Sequence, residues 1–187
     1  MTKIAQITAT LILCLTAYPH HAQSAPEEVA KEVESPKFDE ALKVANQLFK
    51  DDKLKEAEAA YRTLRGQKTK LSTWGVASFN LALNLRAQKK FDESIQVLRE
   101  ILDSKLNDKD PGSNIMENYQ NYHYKACLEI SYTYEVKRNF AKALEYMELA
   151  RSKYKYVSHC PTCAENAQKD WDAQVNAIKS AMKITPQ

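Results

Sequence analysis

Glycine is almost missing. The 187 residues hold three of them, and no stretch alternates apolar with polar side chains. A sheet needs turn glycines and a period of two, so the chain excludes one. Without a glycine-rich loop there is also no cradle for a nucleotide phosphate. Charge of one sign is missing as well. Lys and Arg number 27 against 24 Asp and Glu, with no basic stripe, which excludes a nucleic-acid surface. The longest apolar run, Ala9 to Tyr18, is too short for a membrane span of about 20 residues.

That run instead fits a cleavable leader. Lys3 is the one charge before it, and the small residues Ala22 and Ser24 follow two apart. Residues 1–24 are expected to be a secretory signal peptide, cut after Ser24, which sends the chain to a periplasmic or extracellular space without stable membrane insertion. Cys14 follows Leu13 rather than a small residue, so no lipid anchor is expected. Removing this segment takes away Lys3 alone and leaves 26 basic against 24 acidic groups. Residues 25–37 are acidic, carry Pro26 and Pro36, and are expected to form a disordered leader. Residues 38–185 are enough for one helical domain with its own core.

What is abundant is a repeated phrase. Leu54 to Leu64, Phe91 to Ile101 and Phe140 to Ala150 each open on a large apolar residue. A small residue follows three positions on (Ala57, Ser94, Ala143), and a bulky one four beyond that (Tyr61, Leu98, Met147). These spacings form one helical stripe. A second apolar-periodic helix precedes each copy, over Phe38–Lys50, Leu71–Ala87 and Asn114–Lys137, with its own small residue: Ala45, Ala82, Ser131. In every pair the two small residues are 12 positions apart, as expected where two helices touch closely. Asn114 with Glu117 reads as a capping box for the third of these helices, which is rich in tyrosine (Tyr119, Tyr122, Tyr124, Tyr132, Tyr134). Between the second and third units lies a polar insertion, Asp103 to Gly112. It lacks the glycine and closing Glu of a calcium loop.

This arrangement resembles the tetratricopeptide repeat, a helix-turn-helix unit of about 34 residues. The resemblance covers Phe38 to Arg151. It departs from the pattern where Ala41, Ser78 and Cys127 replace an early aromatic residue, and where the step between units is 37 and then 49 residues. The resemblance implies an all-α solenoid of three helical hairpins. A C-terminal capping helix from Ala164 to about Lys183 is expected to close it, with an apolar face of Ala164, Ala167, Trp171, Val175, Ile178 and Met182. It further implies that the first helices line a concave groove for a protein or peptide partner. The lining residues would be Leu42, Asn46, Phe49, Phe79, Asn80, Leu83, Arg86, Lys125, Leu128, Tyr132 and Glu135. Leu42 and Glu129 stand where the carboxylate clamp of chaperone-binding repeats needs cations, so that clamp is not expected.

Three cysteines remain after the leader: Cys127, Cys160 and Cys163. An antiparallel return of the third pair would carry the Cys160/Cys163 loop back beside His123 and Cys127, which lie four apart on one helix face. Two outcomes follow from that placement. One is a disulfide from Cys127 to the loop. The other is a zinc site of three cysteines and His123. Cys127 as a small buried core residue is the plain alternative. Cys160-Pro161-Thr162-Cys163 before a helix also resembles the redox loop of thioredoxin-like proteins, though no βαβ unit accompanies it. The expected function is therefore a non-catalytic exported interaction module with no cofactor; the alternative is a thiol-disulfide or zinc-binding protein.

Overall fold

A computed structural model of the chain describes residues 36–67, 71–106 and 121–184. Among these residues there are seven helices and no strand. They are α1 (Pro36–Lys50), α2 (Leu54–Arg65), α3 (Leu71–Ala87), α4 (Phe91–Asp103), α5 (Tyr122–Val136), α6 (Phe140–Ser152) and α7 (Pro161–Ile184). Each packs on the next in sequence, and α3 additionally touches α1 and α5. The expected leader is described only at its end, where α1 starts two residues early, at a proline. That residue suits the first helical position because its missing N–H would be unpaired there anyway.

The small residues lie where the helices meet. Ala45, Ala57, Ala82, Ser94, Ser131 and Ala143 are all at most 1% exposed. In two of the three pairs the 12-residue offset becomes a hydrogen bond. Ser94 Oγ donates to the Ala82 carbonyl at 2.8 Å, and Ser131 Oγ donates to the Ala143 carbonyl at 2.9 Å. A larger side chain would hold the backbones too far apart for either bond. Around these points Tyr61, Leu81, Leu98, Ile101 and Ile130 fill one continuous core across α1–α6. Helix α3 has neighbours on several sides, which is why Trp74, Ala77, Ser78, Leu81, Ala82, Asn84 and Leu85 are buried on more than one face.

Three turns share one geometry. Asp52, Lys89 and Arg138 have left-handed φ values of 59°, 62° and 57°. The residue after each donates its N–H five positions back: Lys53 to Leu48, Lys90 to Leu85 and Asn139 to Tyr134, at 2.8–2.9 Å. This is the bond that ends a helix in a left-handed C-terminal residue, a place usually taken by glycine. Here Asp, Lys and Arg take it. A link of three residues leaves the chain no room except to reverse.

The third pair departs from expectation. Helix α5 begins at Tyr122, and Asn121 before it has a φ of 52°, which breaks any right-handed helix running through from Asn114. The Asn114/Glu117 capping box lies outside the described residues. Helix α7 is also docked differently from expectation. Trp171, Val175 and Ile178 are buried against Ala143 and Met147, but Ala164 and Met182 are exposed and Ala167 only partly covered. Lengths explain this: 24 residues of α7 span about 36 Å, against about 20 Å for the 13 residues of α6. Only the middle of α7 has a helix to lie on.

Candidate functional site

Of the eleven residues expected to line a groove none is buried. Ten keep part of their surface exposed, and Tyr132 is 40% exposed. Leu42, Phe49, Phe79 and Leu128 pack their inner sides on the core. Polar contacts knit the row together. Asn46 Oδ1 accepts from Tyr61 Oη at 2.8 Å and from Asn80 Nδ2 at 3.1 Å, joining α1 to α3. Arg86 on α3 faces Glu129 on α5, with Nη1 and Oε2 2.9 Å apart. That oxygen makes no hydrogen bond of good geometry, so the contact is an ion pair rather than a bonded fork. Burial pushes the Glu129 carboxyl up, and Arg86 opposes the shift. Lys125 lies over the Tyr122 ring, 5.9 Å from its centroid, and Phe79 sits 6.3 Å from the same ring. Glu135 accepts from Gln174 of α7. Its carboxyl is raised by burial, which that bond opposes.

The cysteines correct the expected pairing. Cys160 is bonded to Cys163, and Cys127 is a free, fully buried thiol in α5. Burial pushes Cys127 up to about 12, with Lys153 opposing, so it stays protonated and inert. The plain reading of Cys127 as a core residue is the one the structure matches. His123 stacks on Tyr154 at 5.0 Å and has Nε2 3.5 Å from the Ser104 carbonyl. Sulfurs joined in a disulfide are not the thiolates that zinc requires. Among the described residues no three His, Cys, Asp or Glu side chains converge on one point.

The loop after α6 does come back to the start of α5, as the antiparallel return requires. A different residue ties it. Asn121 Nδ2 donates to the Val157 carbonyl at 2.8 Å, and Val157 N–H donates to Asn121 Oδ1 at 2.9 Å. Asparagine tolerates the left-handed backbone better than other residues with a side chain, and here its amide mimics a strand partner.

Beside this tie lies a cleft of about 300 Å³ that the sequence did not reveal. Helix α6 contributes Ala150 and Arg151, and the returning loop Lys155 and Tyr156. Helix α5 adds Tyr124, and the first turns of α7 add Ala164, Ala167, Gln168 and Trp171. The Arg151 guanidinium lies 4.7 Å from the Trp171 ring centroid, and Tyr124 meets Tyr156 edge-on at 5.4 Å. Burial, then nearby Asp170, pushes the Tyr124 hydroxyl up, keeping it a donor. The signal was the run Arg151 to Tyr156, in which basic and aromatic residues crowd a short interhelical segment.

Neither protein-family models nor curated proteins give a match to the chain. No described helix is long and apolar enough to cross a membrane.

Proposed function

We propose that the chain is a tetratricopeptide-like solenoid: an exported, non-catalytic module that holds a protein or peptide segment along the row formed by α1, α3 and α5. The supporting observation is the contact of α3 with both α1 and α5, together with the eleven groove residues, all of which keep accessible surface. Such a row presents apolar surface from Phe49, Phe79, Leu83 and Tyr132 next to amides and an ion pair. That mixture suits an extended or helical peptide, whose main chain needs polar partners and whose side chains need apolar ones. Helices that each touch mainly their neighbours are the packing that a repeat array requires, and α7, with one exposed face, serves as its cap.

Selection of a displayed peptide library against the purified mature chain tests this. Wild-type protein is expected to enrich a family of sequences that Leu83→Glu and Tyr132→Glu lose, while helical circular dichroism stays unchanged. Both positions are accessible, so the charge should not unfold the chain. Peptides retained equally by both variants would place binding elsewhere. Export is tested separately: N-terminal sequencing of the mature protein should begin at Ala25.

A further inference from the structure

The Cys160–Cys163 bond has no evident structural task. It closes a ring within a single turn and joins residues that the chain already holds together. The loop before it is held by Asn121, and α7 is docked by Trp171, Val175 and Ile178, with Trp171 Nε1 donating to the Met147 carbonyl at 2.7 Å. The first turn of α7, by contrast, is open to solvent: Cys163 is exposed and Cys160 half-buried.

The local backbone is placed to stabilise a thiolate at Cys160 once the bond opens. Cys160 directly precedes a 24-residue helix, and its carbonyl accepts from the N–H groups of Cys163 and Ala164 at 3.1 and 3.2 Å. The Cys163 N–H also points at Cys160 Sγ, 3.2 Å away. A negative sulfur there would receive a backbone hydrogen bond and the positive end of the helix. Cys163, one turn inside, has no equivalent.

We propose that Cys160 and Cys163 form a reversible dithiol–disulfide couple that exchanges with thiols of a partner protein through Cys160, and that the adjoining cleft receives the partner's segment. In the oxidised form a partner thiolate attacks Cys160 Sγ. The bond to Cys163 breaks, and Cys163 leaves as a thiolate that takes up a proton. A second partner thiol, deprotonated, then attacks the partner's sulfur in the mixed disulfide and releases Cys160. Two electrons and two protons pass from the partner dithiol to the Cys160/Cys163 pair, and the partner gains one disulfide. Reversal reduces a partner disulfide, with Cys160 as nucleophile and Cys163 resolving. Ala164, next to Cys163, lines the cleft, where Arg151 and Lys155 favour an acidic segment and Tyr156 and Trp171 an aromatic one. This site is independent of the α1/α3/α5 row.

The test uses the whole mature chain in mixtures of reduced and oxidised glutathione, quenched, alkylated and mapped by mass spectrometry. The pair should convert fully and reversibly within these mixtures, while buried Cys127 stays unlabelled in the folded protein. Cys163→Ser should accumulate glutathione on Cys160 at least about tenfold faster than Cys160→Ser does on Cys163. A pair that remains oxidised in every mixture would make the bond structural, and equal adduct rates would remove Cys160 as the exchanging sulfur. For the cleft, an acidic disulfide-containing peptide should react faster than a basic one of equal length, and Lys155→Glu should abolish that preference. Equal rates with wild-type protein would overturn the cleft assignment.

Discussion

The Ser94 hydroxyl donates to the carbonyl of Ala82, 12 residues earlier, across the contact between α3 and α4. In the next pair the roles are reversed: Ser131 on the first helix donates to Ala143 on the second. Serine is thus a spacer small enough for close approach and a staple that uses a helix carbonyl as second acceptor. Ser94→Ala and Ser131→Ala should each cost about 1 kcal/mol, the net worth of one such bond. Ser94→Leu should cost more, about 1–3 kcal/mol, because the site is 1% exposed and has no room. Urea denaturation measures both, and a serine-to-leucine change without loss would mean the helices are not in tight contact there.

Glu58 gives the fold an acid-sensitive joint. Its side chain is 13% exposed, and it accepts from Lys90 at 2.7 Å, from Gln88 at 2.9 Å and from Arg62 at 2.9 Å. Burial works to raise its carboxyl, but these bonds outweigh burial and hold it at about 2, below the ordinary 4.5. The folded state therefore binds fewer protons than the unfolded one between those values. The contribution, about 2–3 kcal/mol, is complete above pH 4.5 and disappears as pH falls towards 2. Glu58→Gln should lower stability at pH 7 by that order and should match wild type near pH 2. A difference that persists at low pH would show that charge is not the cause.

The turns without glycine leave stability to be gained. Lys89 and Arg138 are exposed and left-handed, so their side chains carry a backbone cost without a buried contact in return. Lys89→Gly and Arg138→Gly should each stabilise by about 1 kcal/mol, read as a shift in thermal midpoint. Glycine elsewhere in these helices would do the opposite. A loss at either turn would mean that its left-handed conformation is absent in solution.

Asn121 should be the costliest polar residue to truncate. Alanine at this position removes both bonds to Val157 and also takes over a left-handed φ. A cost of about 2–3 kcal/mol is expected, with faster amide exchange in residues 153–160. Cys127→Ala, by comparison, should leave the disulfide count unchanged in non-reduced peptide maps.

Close helix contact was legible in the sequence because only small residues permit it, and a fixed 12-residue offset between small residues has few other causes. The boundaries of α3 were legible too, because an apolar period fades sharply at Leu71 and Ala87. The start of α5 was not. Asn114 and Glu117 offer a local start signal, whereas α5 begins only after Asn121, a residue type that permits a left-handed backbone without announcing it. The cysteine pairing was hidden for a related reason. Hairpin topology brings the loop to α5 whether a thiol or an amide holds it, and the sequence offers both. The helices that carry the eleven expected groove residues were readable from their apolar period. The cleft at Arg151, Tyr156 and Trp171 was not, because three helices and a loop contribute to it and no single period connects them.

Helix α7 rests chiefly on α6, reaching α5 through Gln174 and through Leu128 and Tyr134. That makes it the mechanical fuse of the molecule. A chain drawn out by its two ends would shed α7 before any of α2 to α5 gave way, since those helices pack on a neighbour before and after them in sequence and α7 chiefly on α6. The first rupture would be the short patch around Trp171, Val175 and Ile178. It would expose Ala143 and Met147 on α6 and leave the earlier helix pairs still folded.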